Sequence, residues 1–265
     1  MKTLLLALAA SVALASPSLA ANFKIGVVPG AYGDSVSKAA EIAASQGLDV
    51  EVIEFTDWTT PNVALEAGDI DVNYFQHKPF LDNASKERGY AFAEAGVGTL
   101  ANLGLYSLKH ASFDDIPEGG TVAIPNDPVN QGRSLLLLER AGLIELREGV
   151  GFLGTLDDIE ANPRDLSFSE VEGPQLARVT PDVDLALGYP HFIVASGTFD
   201  ASGGLLYSGV EDRQFAIRFV TRAEDAERED IRRFIDIYQT SPEVQAVIAH
   251  AFNDDPKLYV AAWQE

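Results

Sequence analysis

The stretch richest in chemistry runs Pro125-Asn126-Asp127-Pro128-Val129-Asn130-Gln131-Gly132-Arg133-Ser134-Leu135. It reads as a polar loop that delivers Arg133 into the first turns of a strongly apolar helix. Backbone N–H groups and aligned peptide dipoles at a helix N-terminus favour an anion. Arginine adds a planar fork that can grip a carboxylate with two bonds, and such a charge-assisted bond is worth roughly 1.5–3 kcal/mol. Arg133 equally fits a plainer role as a solvent-exposed arginine near a helix start, although a cation there opposes the dipole. A second stretch, Asp69-Ile70-Asp71-Val72-Asn73-Tyr74-Phe75-Gln76-His77-Lys78-Pro79-Phe80, places an aromatic ring and an imidazole just past a strand end. Ligands of open α/β sheets bind at such ends. Phe75 can wall an apolar group, His77 can hydrogen-bond a polar one, and Trp58, after another strand end, can form the facing wall. The competing reading makes Phe75 and Trp58 core or rim aromatics and His77 a satisfied loop histidine.

Other chemistries find little support. The four histidines, His77, His110, His191 and His250, show no short metal-ligand spacing. The pairs Asp114-Asp115, Asp157-Asp158 and Asp254-Asp255 lie in turn or helix-start contexts and read as solvated caps rather than dyads. Gly30 to Gly33 follows a strand but lacks the remaining residues of a P-loop or dinucleotide fingerprint. No Gly-x-Ser-x-Gly elbow is present. With no cysteine, thiolate metal sites, cysteine nucleophiles and disulfides are excluded. No catalytic residue, metal or cofactor is expected.

The elements that position these residues alternate. Phe23 to Val28 is predicted as a buried strand, Ser35 to Gln46 as a helix, Leu48 to Phe55 as a strand, and Ile70 to Tyr74 as a third strand. Between the last two, Thr60 is the expected cap of a helix opened by Pro61 and ended by Gly68. Further strands are read at Asn102 to Lys109, Thr121 to Ile124, Asp184 to Leu187 and Phe215 to Thr221. A helix runs through Leu135 to Arg140, and Glu224 to Trp263 reads as mostly helical, with Pro242 starting a fresh segment. Strand–helix alternation argues for an α/β protein with mostly parallel strands under helices.

Residues 1–20 have the pattern of a cleaved secretory leader: Lys2, the apolar run Leu4 to Leu14, and Ser18-Leu19-Ala20 as the cleavage site. The remainder suits one large domain or two medium ones. The chain has 19 basic and 40 acidic residues, a net charge of −21. Such a surface repels phosphate backbones and anionic lipid, so nucleic acid and membrane surfaces are not expected partners.

Several stretches are similar to the methionine-binding lipoprotein (NlpA/MetQ-like) family of ABC-transporter substrate-binding proteins. They are Phe55-Thr56-Asp57-Trp58 with Pro61-Asn62, Gly68-Asp69-Ile70-Asp71 through Phe75-Gln76-His77-Lys78-Pro79, and Val122-Ala123-Ile124-Pro125-Asn126-Asp127-Pro128 through Gly132-Arg133-Ser134-Leu135. Pro174-Gln175-Leu176 and Val220-Thr221-Arg222 are shorter echoes, and the likeness covers essentially the whole mature chain. It implies a two-lobed, type II-like periplasmic-binding-protein fold. Each lobe would be a mixed, mostly parallel sheet covered by helices, with the ligand in the interlobe cleft. With crossovers placed near Ala101–Tyr106 and Gly209–Ala216, lobe 1 would be residues 21–103 plus 213–265 and lobe 2 residues 104–212. By the same likeness Arg133 holds the ligand carboxylate, Trp58 and Phe75 are the aromatic walls, His77 is a polar contact, and Asn130 is a further candidate. Two asparagines expected at the amino end of the ligand fall on His191 and Ile217. A lipid-anchoring cysteine usual in the family is missing, so a periplasmic protein without a lipid anchor is expected; a monomer is expected as well.

The function expected is capture of a small amino acid, methionine or a related compound, for a membrane permease. A drifted specificity for another small carboxylate, a periplasmic enzyme on the same fold and a non-transport scaffold are the alternatives. An enzyme would need an acid–base pair within hydrogen-bond reach, and no activating partner is visible for His77 or His191.

Overall fold

The computed structural model describes residues 23–264; the leader read at residues 1–20 lies outside them. In chain order the first strands are β1 (Phe23–Val27), β2 (Val50–Glu54), β3 (Val72–His77), β4 (Phe92–Val97), β5 (Thr99–Ala101), β6 (Gly104–Tyr106) and β7 (Thr121–Pro125). The later ones are β8 (Glu145–Leu146), β9 (Ile159–Ala161), β10 (Ser167–Val171), β11 (Leu185–Gly188), β12 (Leu206–Tyr207), β13 (Ile217–Arg222) and β14 (Tyr259–Ala261). The helices are α1 (Ala31–Ser45), α2 (Thr60–Ala67), α3 (Lys78–Arg88), α4 (Pro128–Arg140), α5 (Leu176–Val179), α6 (Pro190–Ser196), α7 (Glu229–Thr240) and α8 (Pro242–Ala251).

Two five-stranded sheets organise the molecule, in the orders β2-β1-β3-β13-β4 and β10-β7-β11-β6-β12. Each is mixed. β1, β2 and β3 are mutually parallel, as are β7, β10 and β11, while β13 and β4, and β6 and β12, add antiparallel pairings. The central strands are apolar on both faces because helices cover both sides. In β1, Phe23, Ile25 and Val27 are buried and Lys24 alone reaches solvent. The chain passes from the first sheet to the second through β5 and returns between Tyr207 and Ile217. Tyr74 Oη accepts a hydrogen bond from the backbone N–H of Thr99 at 3.0 Å, tying β3 to the outgoing segment.

Three helix starts depart from the sequence reading. α1 begins at Ala31 rather than Ser35, because Gly30 turns the chain at φ 87° and Gly33 bonds back to Val28. For α2 it is the Asp57 carboxylate, not Thr60, that accepts from the N–H groups of Thr59 and Thr60, both at 2.7 Å. α4 begins at Pro128, with the Asp127 carboxylate accepting from the N–H of Asn130 at 2.9 Å as its N-cap. Asn130 and Arg133 therefore stand one turn apart on a helix, not in a loop. At the C-terminal end, Tyr259–Ala261 is a strand paired with β5 where a helix was read.

Candidate functional site

The two sheets face each other across a narrow chamber with about 40 Å³ of open space. On the first sheet's side it is walled by Tyr32 of α1, Trp58, Phe75 and Ile217; on the other by Asn130, Tyr189, His191 and Phe192. Phe75 and His77 are brought here by β3, whose end is paired with Ile217 of β13.

The rings interlock. Trp58 packs edge-on against Tyr189 at 5.5 Å and lies within 25° of parallel to Phe192 at 6.5 Å. Its tip reaches Gly173 so closely that a Cβ there would lie 2.0 Å from the indole. Phe75 meets Phe80 edge-on at 5.8 Å.

His77 is fully engaged. Nδ1 accepts the Phe80 N–H at 3.2 Å, capping α3, which leaves Nε2 to donate to Asn130 Oδ1 at 3.2 Å. Burial, reinforced by the positive charge of Arg133, pushes its pKa down to about 3. Asn130 is engaged as well, its Nδ2 donating to both oxygens of Asp127 at 3.0 and 3.1 Å. The pair links the end of β3 to α4 across the cleft.

Arg133 stands behind the chamber wall, in an adjoining groove with Phe152, Asp212 and Phe215. Its guanidinium carbon sits 3.9 Å over the centre of the Phe215 ring, a cation–π contact. Among the described residues it makes no hydrogen bond or ion pair. Burial pulls its pKa down to about 10 against the opposing influence of Tyr189, Asp212 and Tyr32. The field of Arg133 is felt in turn by Tyr32, His77 and Tyr189, all on the chamber wall. Arg133 is half-buried, with Asp212 in the same groove but not in an ion pair with it, so an anion placed between Arg133 and the chamber residues is stabilised by its charge.

His191 is 3% exposed, and neither ring nitrogen has a partner. Burial lowers its pKa to about 3, so the imidazole is neutral. The Tyr189 hydroxyl is likewise buried and unpartnered. Trp58, Phe75, His77, Asn130 and His191 thus share one chamber, with Arg133 at its back. Sequence reasoning missed Tyr32, Tyr189 and Phe192. Tyr189 had a signal, since it follows directly on the end of β11. Tyr32 lies within the Gly30–Gly33 turn, whose glycines match no phosphate-binding pattern, and it reaches the chamber because α1 begins at Ala31.

The NlpA lipoprotein family profile matches residues 23–260. The D-methionine-binding lipoprotein MetQ of Escherichia coli (strain K12) is 41% identical over 237 residues, 88% of this chain and 86% of that protein. An ABC transporter, periplasmic substrate-binding protein from Coxiella burnetii superposes with a TM-score of 0.81 at 31% identity, over 90% of this chain and 99% of that one. A nutrient-binding protein from Burkholderia cenocepacia bound to methionine does so with 0.81 at 37%, over 90% and 99%. The relatives' names correct one expectation. They are lipoproteins, so the expectation of an unanchored periplasmic protein does not stand; the absence of cysteine is a fact of composition and does not decide residence. With the profile spanning nearly all described residues, and with two mixed sheets closing on an aromatic chamber, the chain belongs to the NlpA lipoprotein family.

Proposed function

We propose that this protein is the substrate-binding component of an ABC importer and captures a small amino acid, methionine or a related compound, between two closing lobes. The observation that carries this reading is Arg133, a half-buried guanidinium that makes no hydrogen bond or ion pair among the described residues, beside an apolar, aromatic chamber. The relatives support it by what they bind: MetQ is named for D-methionine and the Burkholderia protein holds methionine. The family is one of substrate-binding proteins, not enzymes. In this reading Arg133 takes the ligand carboxylate, Trp58 and Phe75 sandwich its apolar side chain, and Tyr189 and His191 meet its α-substituent. His77 and Asn130 latch the closed form around it. Residues 21–103 with 213–265 act as one lobe and 104–212 as the other, and the closed monomer is what a membrane permease recognises.

The test is calorimetric titration of L- and D-methionine into protein unfolded and refolded to strip carried ligand, in wild type and Arg133→Ala. Loss of one charge-assisted contact weakens binding roughly 10- to 100-fold. Undiminished affinity in Arg133→Ala overturns the carboxylate assignment.

A further inference from the structure

We infer that Phe215 is the positioning residue of the carboxylate clamp: its ring face holds the Arg133 guanidinium in place without neutralising it, so that the charge stays available to a ligand carboxylate. This rests on the reading that Arg133 holds the carboxylate, and it names what holds Arg133.

A guanidinium carries five N–H donors, and among the described residues those of Arg133 enter no hydrogen bond or ion pair. What Arg133 touches is a ring. Its guanidinium carbon stands 3.9 Å over the centre of Phe215, well inside the reach of a cation–π contact. The ring quadrupole attracts the cation but takes up none of its N–H groups. A carboxylate in the same place would bond those groups in pairs, and the ligand would have to displace it. The carboxylate that lines this groove, Asp212, forms no ion pair with Arg133. It caps the short turn Arg213–Phe215, accepting from the Gln214 N–H at 3.4 Å and from Gln214 Nε2 at 2.6 Å. The acid that could compete for Arg133 thus holds the turn that carries Phe215. Arg140, two turns further along α4, shows the contrast: it lines the same groove and donates to the carbonyls of Tyr207 and Ser208.

The ring is itself held from several sides. Phe215 lies two residues before β13, on the chain's return to the first sheet. His77, at the end of β3, meets it edge-to-face at 5.1 Å and 82°, and Phe152 does so at 5.9 Å and 86°. Phe215 therefore stands where α4, the His77 latch and the returning segment meet. Ordering a free arginine side chain on binding costs affinity. A ring fixed in this way orders Arg133 before the ligand arrives.

The experiment is calorimetric titration of L- and D-methionine into refolded protein varied at position 215. Phe215→pentafluorophenylalanine keeps nearly the same shape and reverses the ring quadrupole. It is expected to weaken binding of the preferred enantiomer by about tenfold or more. The unliganded variant should melt within about 2 °C of wild type, which separates positioning from a loss of fold. Phe215→Tyr, with the same quadrupole sign, is expected to bind within about threefold of wild type. Phe215→Leu, apolar without a ring face, should lose as much as the fluorinated variant; if it does not fold, the other two decide. Wild-type affinity in the fluorinated variant overturns the inference. The ring's contacts with His77 and Phe152 are a second route to a loss, and the Arg133→Ala background separates them. There the fluorinated exchange should change affinity no further, as read by ligand-observed NMR. An equal fold-loss in both backgrounds overturns the inference. If wild type binds neither enantiomer, or Arg133→Ala binds as tightly as wild type, the reading of function has failed and this inference falls with it. Loss in Arg133→Ala without loss in the fluorinated variant leaves that reading intact and overturns the role of Phe215 alone.

Discussion

His77 and His191 are both almost fully buried, yet they do opposite work. His77 has a partner on each nitrogen and serves as a latch, whereas His191 has none and faces the chamber. Both are held neutral by burial, with pKa values near 3, against about 6.5 in an unfolded chain. Between those values the unfolded chain binds protons that the native state refuses, so stability falls as pH drops from about 6.5 toward 3. Each histidine contributes up to about 1.4 kcal/mol per pH unit. Asp127, whose carboxyl is held up by burial, works in the opposite direction but only nearer the carboxylate range. Denaturant unfolding at about pH 6.5, 5.5 and 4.5 should show a steep loss of stability, and His191→Phe should remove roughly half of that slope. An unchanged slope in the variant means His191 is protonated in the native state. The same contrast shows what the sequence could reveal of the site. Residue types and motif neighbours marked His77, Trp58, Phe75 and Arg133 as candidates. Whether a histidine is occupied or free depends in part on contacts such as that of His77 with Asn130, 53 residues away, which no spacing announces. Tyr189 stands on the residue next to the end of β11, but that its hydroxyl is buried and unpartnered depends on tertiary packing that residue type does not reveal.

The Gly-Arg-Ser segment of α4 makes physical sense only as part of an element. A Cβ on Gly132 would lie 2.5 Å from the backbone carbon and oxygen of Phe152. Gly132 therefore lets the segment around Phe152 press onto the helix beside Arg133. Ser134 returns its hydroxyl to the Asn130 carbonyl at 2.7 Å. Phe152 in turn meets Phe215 edge-on at 5.9 Å, and Phe215 carries the Arg133 guanidinium. Gly132→Ala is expected to destabilise by about 1–3 kcal/mol through overpacking. It should also weaken ligand binding by displacing the Phe215 ring, a combination measurable by thermal melts and titration. Asp127→Ala should cost about 1 kcal/mol as a lost N-cap, roughly 2–4 °C in melting temperature for a protein of this size. It also frees the Asn130 amide, so the His77–Asn130 latch loosens. A stability loss with ligand affinity unchanged would limit Asp127 to capping. At this scale the paired acids were legible: Asp115 and Asp158 close capping boxes with Ser112 and Thr155. The early start of α1 was not legible, because a glycine turn sets it ahead of the apolar pattern at Ser35, and nor was the place of Asn130 on α4, which the Asp127 cap decides.

At the scale of the molecule, one side chain reaches across the cleft into a place only glycine leaves open. Trp58 follows β2 of the first sheet, and its indole tip lies over Gly173, just after β10 of the second, with Tyr189 and Phe192 alongside. A methyl group at position 173 would stand 2.0–2.8 Å from three ring carbons of Trp58, so the ring must withdraw from its seat. Gly173→Ala touches no polar group on the chamber wall and leaves Arg133 in place. If binding energy is used to close the lobes, the variant should bind more weakly because its closed form is less populated. It should also show a smaller ligand-induced decrease in radius of gyration by solution scattering. Trp58→Ala separates the two contributions, since it relieves the clash in the double variant but removes the aromatic wall. Recovery of compaction without recovery of affinity in the double variant assigns closure to the Trp58–Gly173 contact and affinity to the ring itself. Wild-type affinity and compaction in Gly173→Ala would show that the lobes close without seating Trp58, and the latch between His77 and Asn130 would then have to hold them.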